Sequence, residues 1–357
     1  MKGCKFVKKH LTLMLTCIMT ILLVACSTED KATEVEPAPE AVEQKSPKDI
    51  KIGFSMDTLQ EDRWFKDRDL FLKTAKAAGV EVEVTVANGD DVKQIWQTEK
   101  MISEGIDVLV VVPHNAESMA AIVERAHDAG IKVLSYDRLV RNAEVDLYLS
   151  YDNEQVGILQ ATAMTEMVPK GNYVYLGGAD TDYNAHLMKQ GVFKVLKPYI
   201  EKGDITVVFD QWTKDWIPDV AKKNMETALE VNHQKINAVI AGNDATAGAA
   251  IEALEAYNLA GSIPVAGQDA DLAGVQRIVA GTQNLTMYKS INDLSERAVE
   301  LAIKLALGED IQEDRTINNG KINVPSILLP PVPVDQTNIR ETVIADGFHQ
   351  EDDVYNQ

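Results

Sequence analysis

Short polar clusters recur along this chain, and together they set acids and amides beside bases and an indole. They are Asp62-Arg63-Trp64, Tyr136-Asp137-Arg138, Tyr151-Asp152-Asn153, Asn243-Asp244, Gln268-Asp269 and Lys289. A ring-shaped polyol would be answered by such a set. Its hydroxyls each donate and accept, so carboxylates, amides and guanidinium forks can hold them in pairs, while an indole covers an apolar C–H face at small entropic cost. Trp64 and Trp212 are the candidates for the two faces. A positive and a negative group together suit a neutral polyol better than an ion. Plainer readings stand beside these. Asp152, Asp244 and Asp271 each precede a helical pattern, where Asp is a common N-cap. Capping explains an Asp, but not an Arg or Lys beside it at three separate places. Trp96 lies amid helical spacing and reads as core, and Trp216 has a structural reading too.

Catalytic patterns find little support. His114, His127, His186, His233 and His349 show no HExxH or other ligand spacing, so no metal site is expected. There is no Gly-x-Ser-x-Gly elbow and no phosphate-cradling GxxxxGK[ST]; Gly177-Gly178 reads as a strand-end turn. Asp137 with Asp269 is a carboxylate pair of the kind that glycoside hydrolysis uses, but nothing in the sequence sets their separation. The expectation is a binding protein with no catalytic residue, metal or cofactor.

The elements that must position these clusters follow from hydrophobic period. Apolar runs at 50–56, 80–87, 107–112, 131–136 and 146–151 alternate with helical spacing at 67–78, 92–104 and 116–129. Repeated βα units imply a parallel sheet. The rhythm restarts with strands at 172–176, 205–209, 238–241 and 264–266, and helices at 184–198, 218–231, 246–257 and 273–280. A strand at 285–288, a helix at 291–307 and an extended, proline-rich stretch at 321–333 follow. These late pieces are too small for a lobe of their own and return to the earlier sheets, building a hinge from several strands. The division expected is 49–153 plus 289–328, then 154–288 plus 329–349, with a tail at 350–357. In open parallel sheets ligands sit outside the carboxyl ends of strands, where the clusters fall.

The amino end has other business. Lys2, Lys5, Lys8 and Lys9 precede an apolar run over 11–25 that stops at Cys26, which reads as a signal peptide over 1–25. The run is shorter than the roughly 20 residues of a spanning helix, and Leu23-Val24-Ala25-Cys26 has the ending that precedes a lipidated cysteine. Cys26 is therefore the expected membrane anchor. Residues 26–48 are acidic and proline-bearing and read as a flexible tether. Of 3 cysteines, Cys4 and Cys17 fall in the signal, so the globular part has no disulfide or thiol nucleophile. A net charge of −20 disfavours nucleic acid and anionic lipid surfaces. The rest of the chain exceeds the size at which one core keeps growing, so two lobes are expected.

In DRWFKDRDLF (62–71), YDR (136–138), GNDATAG (242–248) and GQDADLAG (267–274), with VLKPYI (195–200) and DQW (210–212), the chain resembles the periplasmic xylose-binding proteins of ABC sugar importers. These lie within the larger ribose/galactose-type family of periplasmic binding proteins. The similarity covers nearly all of 48–349, and GQDAD is specific to this branch. It implies a type I periplasmic binding protein: two doubly wound, Rossmann-like α/β lobes joined by three strands and closing on one sugar, D-xylose. The contacts implied come from Arg63, Trp64, Asp137, Arg138, Asn184, Trp212, Asn243, Asp269 and Lys289. Lys189 stands where the relatives carry an arginine in the helix after Asn184, and it lacks the planar fork. The resemblance also implies a monomer that delivers its ligand to permease subunits. The same body would serve a sensor that reports ligand status to a membrane receptor kinase, and nothing in the residues separates the two.

Overall fold

The computed structural model describes residues 45–356. The signal peptide, Cys26 and most of the tether lie outside the described residues. The first sheet begins with β1 (Lys51–Met56), β2 (Glu81–Val86), β3 (Val108–Val111), β4 (Lys132–Tyr136) and β5 (Leu147–Tyr151), all parallel, in the order β5-β4-β3-β1-β2. β1, β3 and β5 are buried almost throughout, as expected of strands covered on both faces. α1 (Asp62–Ala78) lies on one face, where Phe71 packs 4.5 Å from the Phe54 ring and Tyr136 meets Phe54 edge-on at 5.7 Å. α2 (Asp91–Ser103) and α3 (Ala120–Asp128) cover the other face with Met101 and Ile122.

The buried residues of α1 are Arg63, Trp64, Asp67, Phe71 and Ala75, a stripe at helical spacing whose first turns are polar. One helix face therefore serves both core and cleft. Trp96, expected in the core, is 63% exposed on α2. Ile95 and Met101 pack inward there instead, and the helical period turns Trp96 outward.

The second sheet has β6 (Gly171–Gly177), β7 (Ile205–Trp212), β8 (Ala238–Ala241) and β9 (Val265–Ala266), parallel, in the order β7-β6-β8-β9. Its helices are α4 (Asn153–Met167), α5 (Tyr183–Glu201), α6 (Pro218–Val231), α7 (Asp244–Glu255) and α8 (Leu272–Ala280). The sequence gives no period from which to bound α4, because its buried side includes Gly157 and Gln160 while apolar residues also fall elsewhere. The glycine is there for approach: a Cβ at Gly157 would lie 2.0 Å from the Met188 carbonyl of α5, and one at Gly191 lies 2.1 Å from the Glu154 carbonyl.

β10 (Thr286–Tyr288) joins the second sheet through a bridge at Leu285. α9 (Ile291–Leu307) then packs on α1, and β11 (Arg315–Asn318) and β12 (Asn323–Leu329) extend the first sheet, β12 parallel to β5 and β11 antiparallel to β12. β13 (Val332–Val334) pairs antiparallel with β10. The chain thus passes between the sheets after β5, after β10 and after β12. Those passes touch: Asp152 N donates to Leu329 O at 3.0 Å, and Tyr151 donates its hydroxyl to Ser290 O at 2.8 Å. Residues 350–357 were expected as a tail, yet α10 (Glu351–Tyr355) lies against α8 with Val354 fully buried.

Candidate functional site

The first turn of α1 delivers Arg63 into a buried space at the carboxyl ends of both sheets. Its guanidinium donates through Nε to Asp67 Oδ2 (3.2 Å), through Nη2 to Asp137 Oδ2 (3.0 Å) and through Nη1 to Asp269 Oδ1 (3.2 Å). Burial alone would lower the Arg63 pKa, but these carboxylates drive it well above the ordinary range. Asp67 also accepts from the Tyr136 hydroxyl, and burial pushes its carboxyl up to about 6. It anchors the guanidinium from behind.

Asp137 follows β4 with a left-handed backbone, φ 58. Burial would raise its pKa, yet Arg63, then Lys289 and Arg138, hold it below the usual carboxylate range. Arg138 reaches both ways: Nη1 to Asp57 Oδ2 at 2.6 Å beside β1, and Nε to Asp182 Oδ2 at 2.9 Å before α5. Asn184, in the first turn of α5, donates Nδ2 to the Asp137 carbonyl at 2.9 Å and accepts from Tyr148 at 3.1 Å. Strand-end loops of the first sheet are thereby tied to those of the second.

Asn243 answers the choice between cap and site by its geometry. Its Oδ1 accepts from Thr246 N at 2.9 Å as the N-cap of α7, while the residue also lines the cleft, where its amide nitrogen is the group left over. Asp152 caps α4 through Gln155 N at 3.0 Å and does not line the cleft. Asp269 sits at φ 88 with Ala270 at φ 54, and takes Lys289 Nζ at 3.0 Å as well as Arg63. Left-handed, non-glycine backbone at both Asp137 and Asp269 is the kind of strain that gathers at functional sites. Held below the usual carboxylate range beside Arg63, Asp137 is not set to act as a proton-donating general acid. Among the described residues no grouping suits a metal ion.

The indoles fall differently from expectation. Trp64 is 3% exposed and lines the cleft, with the Arg63 and Arg138 guanidinium carbons 4.3 and 5.0 Å from its ring centre. Trp212 does not line it. As the last residue of β7 it packs against His186 (4.8 Å) and under the Lys189 ammonium (4.5 Å). Lys189 pairs with Asp210 at 2.7 Å and likewise stays out of the cleft. The second indole of the cleft is Trp216, which rests so close to Gly178 and Gly242 that a Cβ there would meet it at 2.1 and 2.8 Å. The strand expected at 205–209 runs on to Trp212, so Trp212 closes β7 and Trp216 is the indole that lies beyond the strand end. Glu61, Asn153, Asp182, Met188 and Gln268 also line the cleft. Glu61 precedes α1, where burial raises its carboxyl above the usual range.

A model of the periplasmic binding protein domain matches residues 52–310. The chain is 50% identical over 307 residues to the D-xylose-binding periplasmic protein of Escherichia coli, covering 86% of this chain and 93% of that one. The counterpart from Haemophilus influenzae is also 50% identical, over 309 residues, with 87% and 93% covered. Among solved structures, a carbohydrate transporter solute-binding protein from Chloroflexus aurantiacus, in complex with D-glucose, superposes with a TM-score of 0.80 at 32% identity, covering 85% of this chain and 98% of that one.

Proposed function

Because this chain belongs to the family of periplasmic binding proteins, we propose that it is an extracytoplasmic, non-enzymatic binding protein that captures D-xylose for an ABC importer. The observation that carries this reading is the meeting of Arg63, Asp137, Arg138, Asn184, Asn243, Asp269 and Lys289 with Trp64 and Trp216 in one buried cleft. The ionic side chains hydrogen-bond the hydroxyls and ring oxygen of one pyranose, and the two indoles cover its apolar faces. The names of the relatives at 50% identity support xylose as the sugar.

The lobes are 49–153 plus 289–328 and 154–288 plus 329–349, hinged at the three passes between the sheets. Sugar held by one lobe recruits the other, because closure adds contacts that the open form lacks. Arg63 to Asp269, Arg138 to Asp182 and Asn184 to Asp137 are contacts of that kind, since each joins a loop of one sheet to a loop of the other. A permease then reads the closed shape. Lipid on Cys26, with 1–25 removed and 26–48 as tether, keeps the body, a monomer, at the membrane.

Thermal unfolding against a panel of monosaccharides tests this reading. Xylose at about 100 times its Kd stabilises by roughly 2.7 kcal/mol, read as a rise of several degrees in Tm. Asp269→Ala and Trp64→Ala remove that rise. No shift with any pentose overturns the proposal.

A further inference from the structure

Beside the sugar cleft lies a second cavity of about 320 Å³, and the two share Glu61, Arg138 and Trp216 as a common wall. We infer that this outer cavity is a second sugar subsite, so that the chain also takes two linked pentopyranoses, one ring in the inner cleft and the next beyond Trp216. This rests on the sugar-binding reading above and extends it from a monosaccharide to a short oligosaccharide.

Size comes first. The outer cavity holds roughly ten waters at about 30 Å³ each, room for one pyranose ring, whereas the inner cleft spans about 20 Å³ while Arg63, Asp137, Asp269 and Lys289 pair across it, and takes its ring as those contacts part. Its chemistry repeats that of the inner site: Gln60, Asn88, Asp215 and the His114–Asp57 pair, joined at 2.9 Å, face it together with an indole. Such a lining offers donors, acceptors and an aromatic plate, the same requirements a neutral ring imposed on the inner cleft.

The shared wall is unfinished. Among the described residues Glu61 Oε2 and Trp216 Nε1 find no hydrogen-bond partner, although their residues are only 8% and 7% exposed. A buried acceptor and a buried donor left unpaired are costly, and hydroxyls flanking a linkage between two rings would satisfy both. The turn that presents Trp216 is itself strained. Asp215 and Trp216 take consecutive left-handed conformations, φ 50 and 57, in a three-residue turn after β7. Neither is glycine, so the fold holds them there against a local cost, which is common where a loop is shaped for a ligand. Gly178 and Gly242 clear the space for the indole so displaced.

Calorimetric titration of the full chain with xylose and with xylobiose tests the inference, using wild type, Gln60→Ala and Asp215→Asn. Gln60 and Asp215 line the outer cavity alone, and Asn tolerates the left-handed turn at 215. The expected result is that wild type binds both sugars, and that each variant weakens xylobiose by tenfold or more while xylose stays within twofold. Xylose binding without xylobiose binding overturns this inference and leaves the monosaccharide reading standing. Equal weakening of both sugars by the variants, at unchanged Tm, overturns it as well. Failure of wild type to bind either sugar overturns both readings.

Discussion

Trp212 and Trp216 are four residues apart, both aromatic, and their roles diverge because of where β7 ends. Trp212, still in the strand, is committed to His186 and to the Lys189–Asp210 pair; Trp216, in the turn, is aimed into the cleft. Replacing Trp216 by Ala is therefore expected to weaken xylose binding about a hundredfold or more, in line with loss of a buried aromatic anchor. Lys189→Met and Trp212→Phe should leave it within about threefold, as expected for half-exposed groups outside the contact surface. Fluorescence titration or calorimetry on the three variants decides the point. A large loss at position 189 would place the ammonium in the cleft after all.

At the scale of the element, the loop between β9 and α8 depends on a partner. Asp244, the first residue of α7, reaches across to accept from Gln283 Nε2 (2.6 Å), Thr286 Oγ1 (2.9 Å) and Asp271 N (3.0 Å). Gly267 and Gly274 leave it space, with a Cβ at either 2.1 to 2.3 Å from its oxygens. Burial pushes its carboxyl up to about 7, with Arg277 pulling the other way. This hub holds the segment whose left-handed turn presents Asp269. Asp244→Asn sets an amide N–H against a donor in a buried site and should cost about 2–4 kcal/mol of stability, measured by urea unfolding. Xylose affinity should fall with it, whereas Asp152→Asn, at a side chain that caps a helix and pairs with the exposed Arg315, should spare affinity.

Across the whole molecule, the carboxyl-terminal segment fastens α1 to the loop before α8. Lys66 donates Nζ to Phe348 O at 3.1 Å and sits 3.7 Å from that ring centre, while His349 Nε2 lies 2.7 Å from Ala270 O. A carbonyl only accepts, so Nε2 carries the proton and Nδ1 faces Lys66 at 3.5 Å. Burial lowers the His349 pKa from 6.5 to about 4, Lys66 adding to it and Ala270, Asp353 and Asp62 opposing. A folded pKa below the unfolded one means that His349 contributes stability fully above pH 6.5, and that this is lost as pH falls toward 4. The full span is on the order of 2 kcal/mol after allowance for partial solvent access. Asp67, raised to about 6, has the opposite sign: its contribution is present below pH 3.8 and fades as pH rises through 6. The two oppose each other, so the readout is a difference. Relative to His349→Gln, wild type should lose stability between pH 6.5 and 4 in thermal melts. Parallel curves would remove His349 from the account.

Much of this is legible in the sequence. The βα rhythm requires parallel sheets, and α6 and α9 end where the hydrophobic period says they must, because a one-sided apolar stripe can be satisfied in only one way. The same rule located Arg63, Asp137, Asn243, Asp269 and Lys289, since polar residues just past an apolar strand have few places to go except the cleft. It was silent on α4, which is buried on more than one side, and on β11, an exposed edge strand with little apolar content. Which indole faces the cleft, whether Lys189 reaches it and why Glu61 and Asp182 belong to it depend on side-chain direction at strand ends and on contacts between segments far apart in the chain. A sequence fixes the order of such segments, but not the distance between them; packing decides that, because each sheet must bury its own core and the charged side chains at the strand ends must find partners.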